Sequence, residues 1–212
     1  MGPVRTVPPG GRVVVLPDVR GLHPYYRDLT VRFAEAGFDT VAIDYFGRTA
    51  DTDDRGDDFD WQPHVHTVVP GDVAADVAAA LAHLDAEGSL GPAFTVGFCF
   101  GASQSWRLSA SDLDLAGVIG FYGQPQRVND VIDDMRIPLL LLIAGDDAAT
   151  PPEESAAFTA RLEAAGVPYE AWTYDGAPHS FFDRAFAEWA DACADAWRRI
   201  LDFTSSRSAP VG

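Results

Sequence analysis

Short β-branched or leucine-rich runs recur along this chain, and between them the apolar residues return only every third or fourth position. A strand that is apolar at every position must be buried on both faces. Helices between such strands carry the chain back to the same edge of the sheet, so this alternation predicts a parallel β-sheet covered by helices on both sides. The runs predict strands at Val13–Leu16, Thr40–Ile43, Phe94–Phe98, Ala116–Phe121, Pro138–Ala144 and Tyr169–Tyr174. Helical stripes appear at Tyr26, Leu29 and Phe33, and again at Val73, Val77, Leu81 and Leu84. Pro24 suits the first turn of the first helix, and Gly37 suits its C-terminal cap. A last helix is expected from about Arg184 to Phe203, with Phe186, Trp189, Cys193, Trp197 and Ile200 on its apolar face. Cys193 is therefore expected in the core.

The segment Tyr45–Pro70 breaks the alternation. It is rich in Asp, Gly and Thr, has no sustained period, and includes Trp61, His64 and His66. A loop of this length in a compact domain is expected to border a pocket. At 212 residues the chain suits one domain over 1–203, with 204–212 expected to fray.

The formal charge of −17 would repel phosphate backbones and anionic lipid, which argues against nucleic acid or membrane as partners. No apolar run approaches the roughly 20 residues needed to span a bilayer, and MGPVRTVPPGGR has no apolar signal core. The expectation is a cytoplasmic protein, monomeric or homodimeric, with its two cysteines unpaired. All 15 basic residues are arginine, so a side-chain Schiff base is excluded.

The run most informative about chemistry is Thr95-Val96-Gly97-Phe98-Cys99-Phe100-Gly101-Ala102-Ser103, a strand ending in Gly-x-Cys-x-Gly and opening into a helix. Glycines two before and two after the cysteine let strand and helix pass closely, as a nucleophile elbow requires. The following helix aims N–H groups at the thiol, and the Phe100 N–H is available to a developing oxyanion. The motif alone also fits a buried cysteine at a strand end. Order along the chain strengthens the catalytic reading, because α/β-hydrolases supply nucleophile, acid and histidine in that sequence. Asp147 follows the fifth strand, and His179 follows the sixth in Asp175-Gly176-Ala177-Pro178-His179-Ser180-Phe181. Asp146 competes with Asp147 for the acid; Asp147 is favoured.

With these residues in place, the chain resembles the dienelactone hydrolase family along nearly its whole length. The resemblance is carried by Leu16-Pro17-Asp18-Val19-Arg20-Gly21, by Ala36-Gly37-Phe38 with Ala42-Ile43-Asp44-Tyr45-Phe46, by the elbow, by Asp147 four residues before Pro151, and by His179-Ser180-Phe181. It implies an α/β-hydrolase fold without a large cap domain, acting on small esters or lactones with no metal or organic cofactor. It implies Cys99 as nucleophile, His179 as proton carrier, Asp147 as the group that orients His179, and the N–H groups of Val19 and Phe100 as oxyanion hole. Tyr122 falls where the family often has a tyrosine beside the pocket, or it simply caps a strand. Arg20, Trp61 and Ser180 are further pocket candidates.

Two departures from the family pattern bear on mechanism. A glutamate that helps gate the thiol is replaced by Asp18, one methylene shorter, which either engages Cys99 through water or pairs with Arg20. Asp183 and Arg184 are offset from the arginine that helps hold an anionic substrate. The acidic stretch Asp51–Asp60 would also disfavour a carboxylated lactone unless Arg48 or Arg55 turns inward.

Other readings account for fewer of these residues. Asp51-Thr52-Asp53-Asp54-Arg55-Gly56 begins like a calcium loop, but Arg55 occupies the fifth position and Gln62 the twelfth, where an acid is needed. His64-x-His66 is a weak zinc signal. Phe100 after the cysteine argues against a glutamine-amidotransferase-like enzyme, which commonly has histidine there. A degenerate hydrolase that only binds a ligand or partner is the non-enzymatic alternative.

Overall fold

The computed structural model describes residues 10–208. Residues 1–9 and 209–212, and with them most of the N-terminal segment and the end of the expected tail, lie outside the described residues.

Six strands form one sheet: β1 (Arg12–Leu16), β2 (Asp39–Ala42), β3 (Ala93–Phe98), β4 (Gly117–Phe121), β5 (Leu139–Asp146) and β6 (Tyr169–Pro178). Their order is β2-β1-β3-β4-β5-β6, and every pairing between neighbours is parallel. β5 and β6 run past their expected ends because pairing resumes, after an irregularity, at Asp146 opposite Pro178.

Helices α1 (Pro24–Glu35), α2 (Gln62–Val65), α3 (Pro70–Ala86), α4 (Phe100–Arg107), α5 (Pro152–Ala164) and α6 (Ala190–Ser206) complete the chain. Alternate strand residues feed two cores. Val13, Val15, Val96 and Leu140 meet Leu29 and Phe33 of α1 and Ile200 and Phe203 of α6. Val14, Leu16, Val118 and Leu141 meet Val73 and Val77 of α3, Trp106 of α4 and Leu162 of α5. Each such aliphatic side chain contributes about 1.5–3 kcal/mol through burial, which is why two-sided apolar strands bind helices to both faces.

α1 starts at Pro24 and ends before Gly37, whose φ of 101° and bond from the Phe38 N–H back to the Phe33 carbonyl form the expected cap. α6 begins six residues later than its apolar stripe suggested, because residues 180–185 fold into a turn centred on the Ser180 carbonyl. It also extends to Ser206, with Thr204 buried and bonded to the Ile200 carbonyl. Cys193 lies in the core, and burial pushes its thiol up to about 11. The segment 45–70 is irregular apart from α2.

Candidate active site

In an open parallel sheet, a crevice forms at the carboxyl ends of the strands where connections leave in opposite directions. Here β1 connects to β2 on one side, and β3 lies on its other side. The turn after β1 carries Asp18, Val19 and Arg20, and the turn after β3 carries Cys99.

Cys99 has φ 52° and ψ −111°, a region that L-residues rarely occupy, between the end of β3 and the first residue of α4. Its N–H donates to the Phe121 carbonyl at 3.0 Å, and its carbonyl accepts from Ala102 and Ser103. The flanking glycines make this turn possible. A Cβ on Gly97 would sit 2.1 Å from the Gly101 oxygen, and one on Gly101 would sit 2.2 Å from the Leu16 and Pro17 oxygens. The Phe100 N–H opens α4 and so has no intrahelical acceptor. The Val19 N–H has no hydrogen-bond partner among the described residues.

His179 Nδ1 lies 2.7 Å from Asp147 Oδ2. The other oxygen of this buried carboxylate accepts N–H bonds from Ala149 at 2.8 Å and Thr150 at 3.3 Å. Asp146 is exposed at the end of β5, so its neighbour is the carboxylate that meets the histidine. Burial disfavours the imidazolium, but hydrogen bonds to Asp147 and Cys99 and the charges of both outweigh it and raise His179 from 6.5 to about 10. The histidine is therefore held by the carboxylate, with Cys99 close enough to contribute to the shift.

Tyr122, at φ 40°, packs its ring against His179 with centroids 5.0 Å apart and donates its hydroxyl to Asp183 Oδ1 at 2.8 Å. Burial, then the Asp183 charge, raises its phenol well above the usual range. Ser180, buried at φ 63°, shapes the loop: its carbonyl accepts from the N–H groups of Asp183, Arg184 and Ala185.

Of the two roles expected for Asp18, its contacts show the pairing with Arg20. Its oxygens accept from the Arg20 backbone N–H at 2.9 Å and from Arg20 Nε at 3.0 and 2.9 Å. With one methylene less than glutamate, its carboxylate closes on its own turn and makes no hydrogen bond to Cys99 among the described residues. Arg20 is ion-paired a second time, since its Nη2 also lies 2.7 Å from Asp183 Oδ2. Trp61 packs against the α3–α5 core and makes no hydrogen bond or ring contact with Cys99, His179 or Asp147 among the described residues.

What sequence reasoning missed is that the Asp183 side chain is buried and bonded to Arg20 and Tyr122. Its contact with Arg20 spans 163 positions, and no local pattern marks it. Arg55 does turn inward, but it pairs with Asp44 at 2.8 Å and stacks over Phe59. Arg48 pairs with Asp76 on the surface. His64 bonds to Thr49 and stacks on Phe59, and His66 is exposed. Among the described residues, no three His, Cys, Asp or Glu side chains cluster as metal ligands, and no helix is long and apolar enough to cross a membrane.

A parallel sheet with helices on both faces, a strained residue at a strand-to-helix elbow and a histidine held by a carboxylate define an α/β-hydrolase. Solved structures agree on the fold. A dienelactone hydrolase, provisionally so named, from Klebsiella pneumoniae superposes with a TM-score of 0.83 at 24% identity, covering 96% of this chain and 90% of that one. A dienelactone hydrolase-like promiscuous phosphotriesterase from metagenomic libraries gives 0.74 at 23% identity, covering 96% and 89%. The model of the dienelactone hydrolase family matches residues 2–207, and the chain belongs to that family of ester and lactone hydrolases. An Escherichia coli (strain K12) relative provisionally named carboxymethylenebutenolidase is 27% identical over 210 residues, covering 90% of this chain and 75% of that protein. A Bradyrhizobium relative, provisionally named 2-oxo-3-(5-oxofuran-2-ylidene)propanoate lactonase, is 26% identical over 205 residues, covering 89% and 81%.

Proposed function

We propose that this protein hydrolyses small esters or lactones through a Cys99-His179-Asp147 triad and an acyl-enzyme intermediate. The observation that carries the reading is Cys99 itself, held at φ 52° on the elbow beside a histidine whose Nδ1 meets Asp147 at 2.7 Å. The Cys99 thiolate attacks the carbonyl carbon, and the carbonyl π electrons move onto oxygen, where the N–H groups of Val19 and Phe100 stabilise them. Collapse of this intermediate breaks the acyl C–O bond, and the His179 imidazolium gives its proton to the departing alkoxide. The product is a thioester; for a lactone the alcohol stays attached to the acyl group.

Water then attacks the thioester while neutral His179 takes one of its protons. Expulsion of the Cys99 thiolate leaves a carboxylic acid and restores the imidazolium. Asp147 keeps the imidazole oriented and stabilises its charged form. Free thiols at Cys99 and Cys193 suit a reducing, cytoplasmic setting.

The test is turnover of lactones, dienelactones and short aryl esters by wild type beside Cys99→Ala. Turnover should vanish in the variant and after alkylation of the wild type. Undiminished turnover in Cys99→Ala would remove the cysteine from the mechanism.

A further inference from the structure

Asp18 and Asp183 are both buried, with side chains 2% and 1% exposed. Two carboxylates withdrawn from water in one place repel each other and lose hydration, so they persist only with a shared cation or a proton. Arg20 supplies the cation. Its Nε reaches both oxygens of Asp18, while Nη2 lies 2.9 Å from Asp18 Oδ2 and 2.7 Å from Asp183 Oδ2. Arg184, more than half exposed, approaches the two acids from outside at 3.4 and 3.8 Å. The remaining oxygen of Asp183 accepts the Tyr122 hydroxyl, and the Tyr122 ring lies against His179.

This network joins parts of the site that the chain itself does not join. Arg20 directly follows Val19, Asp183 lies four residues beyond His179, and Tyr122 directly follows β4. Among the described residues the turn after β1 makes two backbone–backbone hydrogen bonds, from Gly21 to the Asp18 carbonyl and from His23 to the Gly21 carbonyl, and its backbone is otherwise tied by the Arg20 N–H to Asp18 and by the Tyr45 hydroxyl to the Pro17 carbonyl. An oxyanion donor is effective only when it is already aimed, because reorganising it at the moment of reaction removes its advantage. The planar fork of arginine can meet two carboxylates in fixed directions, whereas an ammonium on a flexible stem cannot.

We propose that Arg20 and Asp183 are positioning residues, their ion pair fixing the Val19 turn against the His179 loop so that the Val19 N–H stays aimed at the substrate carbonyl oxygen. The proposal rests on the hydrolytic reading above, and it assigns neither side chain a direct contact with substrate.

Two probes separate positioning from general support. Acylation by an aryl ester passes through an oxyanion, whereas alkylation by neutral iodoacetamide needs the thiolate but no oxyanion hole. In Arg20→Lys, kcat for the ester should fall about 10- to 100-fold with little change in KM, since an oxyanion contact acts in the transition state. The iodoacetamide rate at Cys99 should stay within about twofold, because Cys99 is unchanged and His179 keeps its own bond to Asp147.

The triple variant Asp18→Asn, Arg20→Gln, Asp183→Asn removes all three charges together and leaves no unpaired buried ion. It should show the same split if Arg20→Lys fails to fold. Unchanged ester turnover, a parallel fall in both rates, or failure of both variants to fold would overturn the proposal. Absence of Cys99-dependent turnover in the wild type would instead overturn the hydrolytic reading beneath it.

Discussion

At the scale of single residues, the elbow stores strain that a stability measurement can read. A non-glycine residue at φ 52° and ψ −111° is strained by about 1–3 kcal/mol, and glycine relieves this even though it adds freedom to the unfolded chain. Cys99→Gly should therefore be more stable than Cys99→Ala by about 1 kcal/mol in urea unfolding, with both inactive. Equal stabilities would mean that the turn relaxes once the thiol is gone. For His179, Asp147→Asn should lower the imidazole pKa from about 10, because it removes a carboxylate that raises it. The turnover loss expected for a neutral orienting group is on the order of 10^4-fold in kcat. The folded histidine keeps its proton beyond the pH at which the unfolded one loses it. Its proton-linked stability is therefore full below about pH 6.5 and is lost as pH rises through about 10. The stability gap between wild type and His179→Gln should narrow over that interval; a gap that widens with pH would contradict the raised value.

At the scale of elements, the close passage of β3 and α4 leaves no room for a methyl group. Gly97→Ala would bring a Cβ to 2.1 Å from a backbone oxygen of α4, which cannot swing aside as a side chain can. The expected loss is about 3 kcal/mol in equilibrium unfolding, at the upper end of ordinary overpacking. The same region shows why much of the fold was legible. Pro138–Ala144 is apolar at every position and Phe94–Phe98 is broken only by Thr95 and Gly97, and a two-sided sheet buries such runs. Gly97 and Gly101 mark the elbow because backbone contact admits nothing larger. Legibility failed where the determining contact was distant. The Phe186 and Trp189 stripe suggested an earlier start to α6, but the left-handed Ser180 collects three N–H groups and delays the helix. Asp18 and Arg20 are two residues apart, so their pairing could be anticipated as an alternative. Asp183 completes the network from the far end of the chain, and nothing around it in sequence signals that role.

For the whole molecule, electrostatics bears on which substrates approach. The formal charge is −17, and many arginines are already neutralised at short range: Arg12 by Asp85, Arg48 by Asp76, Arg55 by Asp44, Arg107 by Asp130 and Arg207 by Glu170. Near the elbow the notable exception is Arg127, which lies 5.4 Å over the Phe100 ring and bonds to the neutral Gln124 at 2.6 Å. A field of this sign slows the encounter with anions and leaves neutral substrates unaffected. A carboxylated aryl ester should therefore show kcat/KM about 10-fold below its neutral isostere at low ionic strength. The difference should shrink as salt shortens the screening length from about 30 Å at 0.01 M to about 8 Å at 0.15 M. Arg127→Gln should widen the low-salt difference if that guanidinium offsets the field locally. A carboxylated ester that outpaces the neutral one at low salt, and loses that lead as salt is added, would show that a local cation outweighs the net charge of the molecule.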